Sequence, residues 1–253
     1  MLYRFIEAKL PEIQRLREQE TKGKNTGYFA CQRPDFAAAL TMPGPSIIAE
    51  YKRASPSKGI INDSISPEIA AAEFHRAGAS AFSVLTEEKF FGGSLSFLNH
   101  FAATGLPVLR KDFIFDPLQV EQTAQTTAAA VLLIVRVIKK ISLLKKLVSL
   151  SFSLGLEPVV EIFSARELYL ARQAEARTIL VNNRDLDSLE IDLGLSRMLI
   201  LEKKPDEIWI CASGIDKSIQ VREFYGLGFE AFLIGTSLMS TASPGEKLKE
   251  LCA

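Results

Sequence analysis

Histidine is nearly absent from this chain of 253 residues, which holds only His75 and His100. Both sit within or beside helical patterns and form no constellation with other ligand-type residues, so they read as structural. That removes histidine-based triads and most histidine metal sites. Cysteine is scarce too. Cys31, Cys211 and Cys252 are odd in number, far apart and without a CxxC pair, which excludes a disulfide framework and zinc spacing and points to a reducing cytoplasm. Cys211 reads as a small core residue at a strand end. Excess charge is also missing, with 30 Lys plus Arg against 30 Asp plus Glu. Such a balance gives no support to a nucleic-acid or membrane partner, although a local anion site needs only one or two placed cations. The longest apolar run, Ala128–Val135, is far too short to cross a bilayer. Met1–Glu20 is charged and lacks the apolar core of a signal segment.

What the chain does contain is alternation. Leu2, Phe5, Ile6, Leu10, Ile13 and Leu16 recur mostly three or four apart, so Met1–Glu20 is expected to be a helix. Thr21–Tyr28 reads as a loop, and Asp35–Leu40 as a short helix ended by Met42-Pro43-Gly44-Pro45. Eight apolar runs follow: Ser46–Tyr51, Ala81–Leu85, Pro107–Leu109, Ala130–Val135, Pro158–Ile162, Thr178–Val181, Glu207–Cys211 and Ala231–Ile234. Between them lie helical patterns that include Pro67–Ala77, Pro117–Thr127, Lys139–Leu154, Ala165–Gln173 and Lys217–Leu227. Strands apolar on both faces are those of a parallel sheet, and eight strand–helix units imply a closed barrel. The glycine-rich dinucleotide fingerprint is absent after the first strand, where Tyr51-Lys52-Arg53-Ala54-Ser55 stands. The expected architecture is an α/β (βα)8 TIM barrel over residues 46–253, with an N-terminal helical extension, 1–45, covering its bottom or side.

In such a barrel chemistry lies at the C-terminal ends of the strands. Glu50 and Lys52 end the first strand, Arg110-Lys111-Asp112 the third, and Asn182-Asn183-Arg184-Asp185 the sixth, while Glu161 interrupts the apolar fifth. Charged groups beside buried strands are costly unless paired, and several at one end are hard to explain by packing. Two sub-sites follow. Ser213-Gly214 and Gly235-Thr236, after the last two strands, suit a phosphate held by backbone N–H groups, with Lys52 adding charge. Lys111 and Glu161, with Glu50 and Lys52 beside them, can exchange protons with a substrate. Each residue alone admits a plainer role: Lys111 as a solvated cap, Glu161 and Glu50 as structural partners, Gly235-Thr236 as a strand-ending turn, Arg184-Asp185 as an ion pair fixing a loop.

At these residues the sequence resembles the indole-3-glycerol-phosphate synthase family. The likeness runs through Ile47-Ile48-Ala49-Glu50-Tyr51-Lys52-Arg53-Ala54-Ser55-Pro56-Ser57-Lys58-Gly59, Ser83–Ser94, Leu109-Arg110-Lys111-Asp112-Phe113-Ile114, Leu154–Glu161, Val181–Leu186, Ser213-Gly214-Ile215 and Ile234–Met239. It implies a carboxy-lyase of tryptophan biosynthesis acting on 1-(2-carboxyphenylamino)-1-deoxyribulose 5-phosphate, without metal or organic cofactor. It also implies that Lys111 is the general acid of ring closure and that Glu161 and Lys52 assist dehydration. By the same likeness Glu50 orients the lysines, Asn182 binds substrate hydroxyls, and Arg184 holds the anthranilate carboxylate or its loop. Ser55, Gly214, Gly235 and Thr236 join Lys52 at the phosphate, Ser213 lies in the substrate site, and Phe90 and Phe91 cover the aromatic ring. Association with other tryptophan-pathway enzymes is a further expectation. Burial and nearby cations lower a lysine's pKa, and Glu50 and Glu161 oppose that at Lys111.

The pattern departs from the family at Thr126-Thr127 and Ala174-Glu175-Ala176, read as turn variation, and most informatively after the seventh strand. The family usually has Glu-Ser-Gly after the seventh strand, where this chain has Ala212-Ser213-Gly214. The missing carboxylate would bond the substrate or a catalytic lysine. A slower synthase is one consequence; a weakened barrel that only binds a phosphorylated ligand or a partner enzyme is the alternative. A phosphoribosylanthranilate isomerase, which would want a Cys or Asp acid–base pair at strand ends, fits Lys52–Ser55 less well.

Overall fold

The computed structural model describes residues 1–22 and 32–253. Cys31 and most of the Thr21–Tyr28 loop lie outside the described residues. Eight parallel strands close into one barrel: β1 (Ser46–Tyr51), β2 (Ala81–Leu85), β3 (Val108–Lys111), β4 (Ala130–Ile134), β5 (Glu157–Ile162), β6 (Thr178–Asn182), β7 (Ile208–Ala212) and β8 (Ala231–Ile234). Each expected strand is present; Ser46–Tyr51, Ala81–Leu85 and Ala231–Ile234 keep their expected bounds, and the other five shift at one or both ends. β3 starts after Pro107 and runs on to Lys111, which pairs with Leu85, so the lysine is fixed in the sheet rather than in a loop. Likewise β6 and β7 extend to Asn182 and Ala212, which pair with each other.

Local chemistry sets the helix starts. Ser66 and Asp116 cap helices that begin at Pro67 and Pro117, where proline's fixed φ and missing N–H are harmless. The Asp116 cap is a full capping box with Gln119. Short helices that periodicity does not resolve, among them Glu88–Phe91, Leu193–Leu199 and Thr236–Met239, are one or two turns long.

The strand registers sort the barrel interior into levels contributed by alternate strands, as strand tilt in such barrels requires. Ile48, Leu109, Val159 and Ile210 form one level from the odd strands. Ser83, Leu132, Leu180 and Leu233 form the next from the even strands. Above these the odd strands contribute Glu50, Lys111, Glu161 and Ala212. Apart from Ser83, these lower levels are apolar and form a packed core on which the charged level rests.

The N-terminal extension reaches both ends of the barrel. The helix α2 (Phe36–Leu40) packs Phe36 and Leu40 with Ala81, Ala129 and Ala231 at the strand starts, at the bottom of the barrel. By contrast α1 (Leu2–Thr21) lies along the side, and its first turns rise over the opposite, open end, where Phe5 packs on Phe113 and the Met1 ammonium pairs with Asp187. Its buried face is Phe5, Lys9, Ile13 and Leu16, whereas Leu10 is exposed. The apolar pattern therefore placed the helix correctly but missed that a lysine occupies its inner face.

Candidate active site

A cavity of about 580 Å³ opens at the C-terminal end of the strands. Glu50, Lys52, Lys111, Asn182 and Arg184 line it beside Ser55, Ser213, Gly214, Gly235 and Thr236. Ten of the expected site residues thus share one hollow, of the size usual for small-molecule sites. Glu161 and Phe90 do not line it.

Glu50 is buried and bridges two lysines. Lys52 Nζ donates to its Oε1 at 2.7 Å, and Lys111 Nζ stands 3.4 Å from its Oε2. Burial pushes the Glu50 carboxyl up, but Lys52 and then Lys111 more than offset this and bring its pKa down to about 2. Burial lowers Lys52 below the ordinary lysine range, with Lys111 adding repulsion, and Glu50 only partly restores it. Burial lowers Lys111 as well, yet Glu50 and Glu161 together win and its pKa is raised. The balance left open by the sequence therefore favours a firmly protonated Lys111.

Glu161 lies in the wall of the barrel, 1% exposed, and its carboxyl is raised by burial against the pull of Lys111 and Asn182. Its Oε2 has no hydrogen-bond partner among the described residues, and this buried lone pair is free to take a proton. Asn182 is oriented at its oxygen: Oδ1 accepts from Ser213 Oγ at 2.9 Å and from the Arg184 N–H at 3.0 Å. Ser213 holds φ 66° and Gly214 φ 85°, a pair of left-handed residues that turns the chain at the rim.

Arg184 does not pair with Asp185. Its Nη1 donates to the Leu189 carbonyl at 2.8 Å, while Asp185 binds Arg136 at 2.7 Å. The loop is fixed by backbone contacts, and the Arg184 guanidinium remains at the cavity wall. Phe91 and Phe5 line the cavity; Phe90 instead packs edge-on against Phe5, with ring centroids 5.2 Å apart. Glu87 pins this segment by accepting from the N–H groups of Lys89, Phe90 and Phe91. Phe5 was not expected at the site, because a helix well before the first strand gives no local sign of its destination; its place on an apolar face was the only signal. Ser237, another unexpected neighbour, lines the cavity with a buried hydroxyl lacking a partner among the described residues.

His75 and His100 lie on the outer helices away from this hollow, and His100 Nδ1 sits 3.0 Å from Glu68. Cys211 is buried and its thiol is pushed up to about 11 by burial, in keeping with a core role. Among the described residues no group of three or more His, Cys, Asp or Glu is placed to hold a metal ion, and no helix is long and apolar enough to cross a membrane.

A closed (βα)8 barrel with lysines, carboxylates and glycine turns converging at the strand ends defines a TIM-barrel enzyme. The family model for indole-3-glycerol phosphate synthase matches residues 2–251. A synthase of that name from Aquifex aeolicus is 43% identical over 220 residues, covering 86% of this chain and 85% of the relative. One from Dehalococcoides mccartyi is 37% identical over 258 residues, 99% of each chain. A multifunctional tryptophan biosynthesis protein of Schizosaccharomyces pombe is 40% identical over 225 residues, 86% of this chain but 29% of that one. Among solved structures, 3-hexulose-6-phosphate synthase from Salmonella typhimurium superposes with a TM-score of 0.65 at 12% identity, covering 82% of this chain and 96% of that one, a likeness of fold alone. The chain belongs to the indole-3-glycerol phosphate synthase family. It is accordingly a decarboxylating lyase of tryptophan biosynthesis.

Proposed function

We propose that the chain closes and decarboxylates 1-(2-carboxyphenylamino)-1-deoxyribulose 5-phosphate with Lys111 as general acid. The observation that carries this reading is the placement of Lys111 between Glu50 and Glu161 at one level of the barrel, with its pKa raised. A raised pKa keeps this lysine protonated at neutral pH, so the proton is in place when the carbonyl arrives; its strength as a donor then comes from placement rather than from a pKa near neutrality. Lys111 gives that proton to the ribulose carbonyl oxygen as the carboxylate-bearing ring carbon bonds to the carbonyl carbon. Carbon dioxide then departs, leaving its electron pair to restore the aromatic ring. In dehydration Lys52 and Glu161 share the remaining transfers: one protonates the leaving hydroxyl and the other takes the proton whose loss completes the indole. The lowered pKa of Lys52 and the raised one of Glu161 bring both nearer neutrality than in water.

Substrate contacts follow the cavity wall. Ser55, Gly214, Gly235 and Thr236 hold the phosphate with Lys52. Asn182 and Ser213 meet the hydroxyls, Arg184 the anthranilate carboxylate, and Phe91 with Phe5 the ring. Phe90 acts by bracing Phe5. Formation of indole-3-glycerol phosphate from the synthetic substrate tests the reading, with Lys111→Ala as control. Turnover lost in the control supports it; turnover that persists overturns the role of Lys111. Ala212 favours a second reading, a barrel that binds but turns over poorly, which would show as tight binding without product. The multifunctional fission-yeast relative supports association with other enzymes of the pathway, and the few, widely separated cysteines support a cytoplasmic setting.

A further inference from the structure

The inner face of α1 carries an ionic cluster that the mechanism above does not use. Lys9 is 4% exposed, although lysine is among the residues least often buried. Its ammonium pairs with Glu12 one turn on and with Asp112 Oδ2 at 2.9 Å. Arg110, whose side chain is fully buried, completes the set by donating to Glu12 at 3.2 Å and to Asp112 Oδ2 at 3.1 Å. Thr86 Oγ1 donates to the same Asp112 oxygen at 2.6 Å, and the Phe113 N–H to the other at 2.8 Å. Asp112 is thus held from four directions.

Asp112 directly follows Lys111. The Thr86 N–H also donates to the Lys111 carbonyl at 3.0 Å. Lys111 is therefore bracketed, its carbonyl by Thr86 and its following residue by Lys9, Arg110 and Thr86. We infer that Lys9 is a positioning residue for Lys111, so that α1, outside the barrel proper, sets the geometry of the acid. The inference rests on the reading of Lys111 as general acid.

A purely structural role accounts for this cluster less well. A buried ion cluster is a weak stabiliser compared with apolar side chains of the same volume, and its better-attested use is to fix one register. An apolar residue at position 9 would have continued the face formed by Phe5, Ile13 and Leu16. The cluster instead locks α1 against the one strand end that bears the acid, where a displacement of about 1 Å can lower turnover about a hundred-fold.

The test compares Lys9→Met and Lys9→Arg with the native chain for indole-3-glycerol phosphate formation, well below each melting temperature and per folded molecule. Lys249→Met, in an exposed pair with Glu246, serves as control. The expected result is kcat down about ten- to hundred-fold in Lys9→Met, KM little changed, and recovery of most of the loss in Lys9→Arg. If Lys9→Met does not fold, Lys9→Gln, which keeps a polar head, takes its place with the same expectation. A lowered melting temperature with native kcat would overturn the proposal, as would a rise in KM alone. A native chain without turnover would instead remove the acid reading, and this inference with it.

Discussion

Lys111 stands across the barrel from Ala212, at one level of the sheet, with Glu50 and Glu161 between them on either side. Lys111 thus faces a methyl group where the family usually places a carboxylate. Ala212 lines the cavity, so a longer side chain there would enter it. Ala212→Glu should raise turnover about ten- to hundred-fold, the equivalent of one charged positioning hydrogen bond of roughly 1.5–3 kcal/mol. Steady-state kcat on the carboxyphenylamino substrate measures it. Equal or lower turnover would mean that this chain has re-optimised its site around the smaller residue.

Glu50 raises the pKa of both lysines it touches. Glu50→Gln removes that support, so Lys111 and Lys52 both fall. In the proposed role Lys111 acts only when protonated, so the alkaline limb of the kcat/KM profile should move to lower pH in the variant. The pH–rate profile from neutral to alkaline is the measurement. An unmoved limb would show that Glu161 alone sets the proton affinity of Lys111.

The barrel was legible because its strands are short apolar runs at regular intervals, a signal set by burial on both faces. The charged level was legible for the same reason: Glu50, Lys111 and Glu161 interrupt or end those runs. The destinations of α1 and of the loop after β2 were not. Whether Phe90 or Phe91 turns inward depends on how Glu87 caps a single helical turn, a three-dimensional fact that two adjacent phenylalanines do not encode. Lys9 illustrates the same limit. Its burial follows from Asp112 and Glu12, and the first of these is more than 100 residues away.

Gly235 is required by space. A β-carbon there would lie 2.2 Å from Glu50 Oε1 and 2.8 Å from its Cδ. Gly235→Ala should therefore displace the Glu50 carboxylate and break its contact with Lys52. Turnover should fall at least about ten-fold, and overpacking should lower stability by about 1–3 kcal/mol. Gly226→Ala is the matched control: nothing lies within 4 Å of its β-carbon, and helix propensity should gain up to about 1 kcal/mol. Native kcat in Gly235→Ala would show that Glu50 is not held in its observed rotamer during turnover.

Ser213 combines backbone strain with a hydrogen bond, and two substitutions separate them. Its φ of 66° is unfavourable for a residue bearing a side chain, by about 1 kcal/mol or more, while its hydroxyl holds Asn182 at 2.9 Å. Ser213→Ala keeps the strain and loses the bond, so stability should fall by about 1 kcal/mol. Ser213→Gly loses the bond but relieves the strain, leaving stability within about 1 kcal/mol of native. Both variants remove the same hydroxyl, which lines the cavity and holds Asn182, so both should lose kcat/KM by a similar factor. Urea unfolding and steady-state kinetics on the pair give the two readouts. If activity instead tracked stability, with the glycine variant active and the alanine variant not, the strain rather than the Asn182 contact would be the functional feature of this turn.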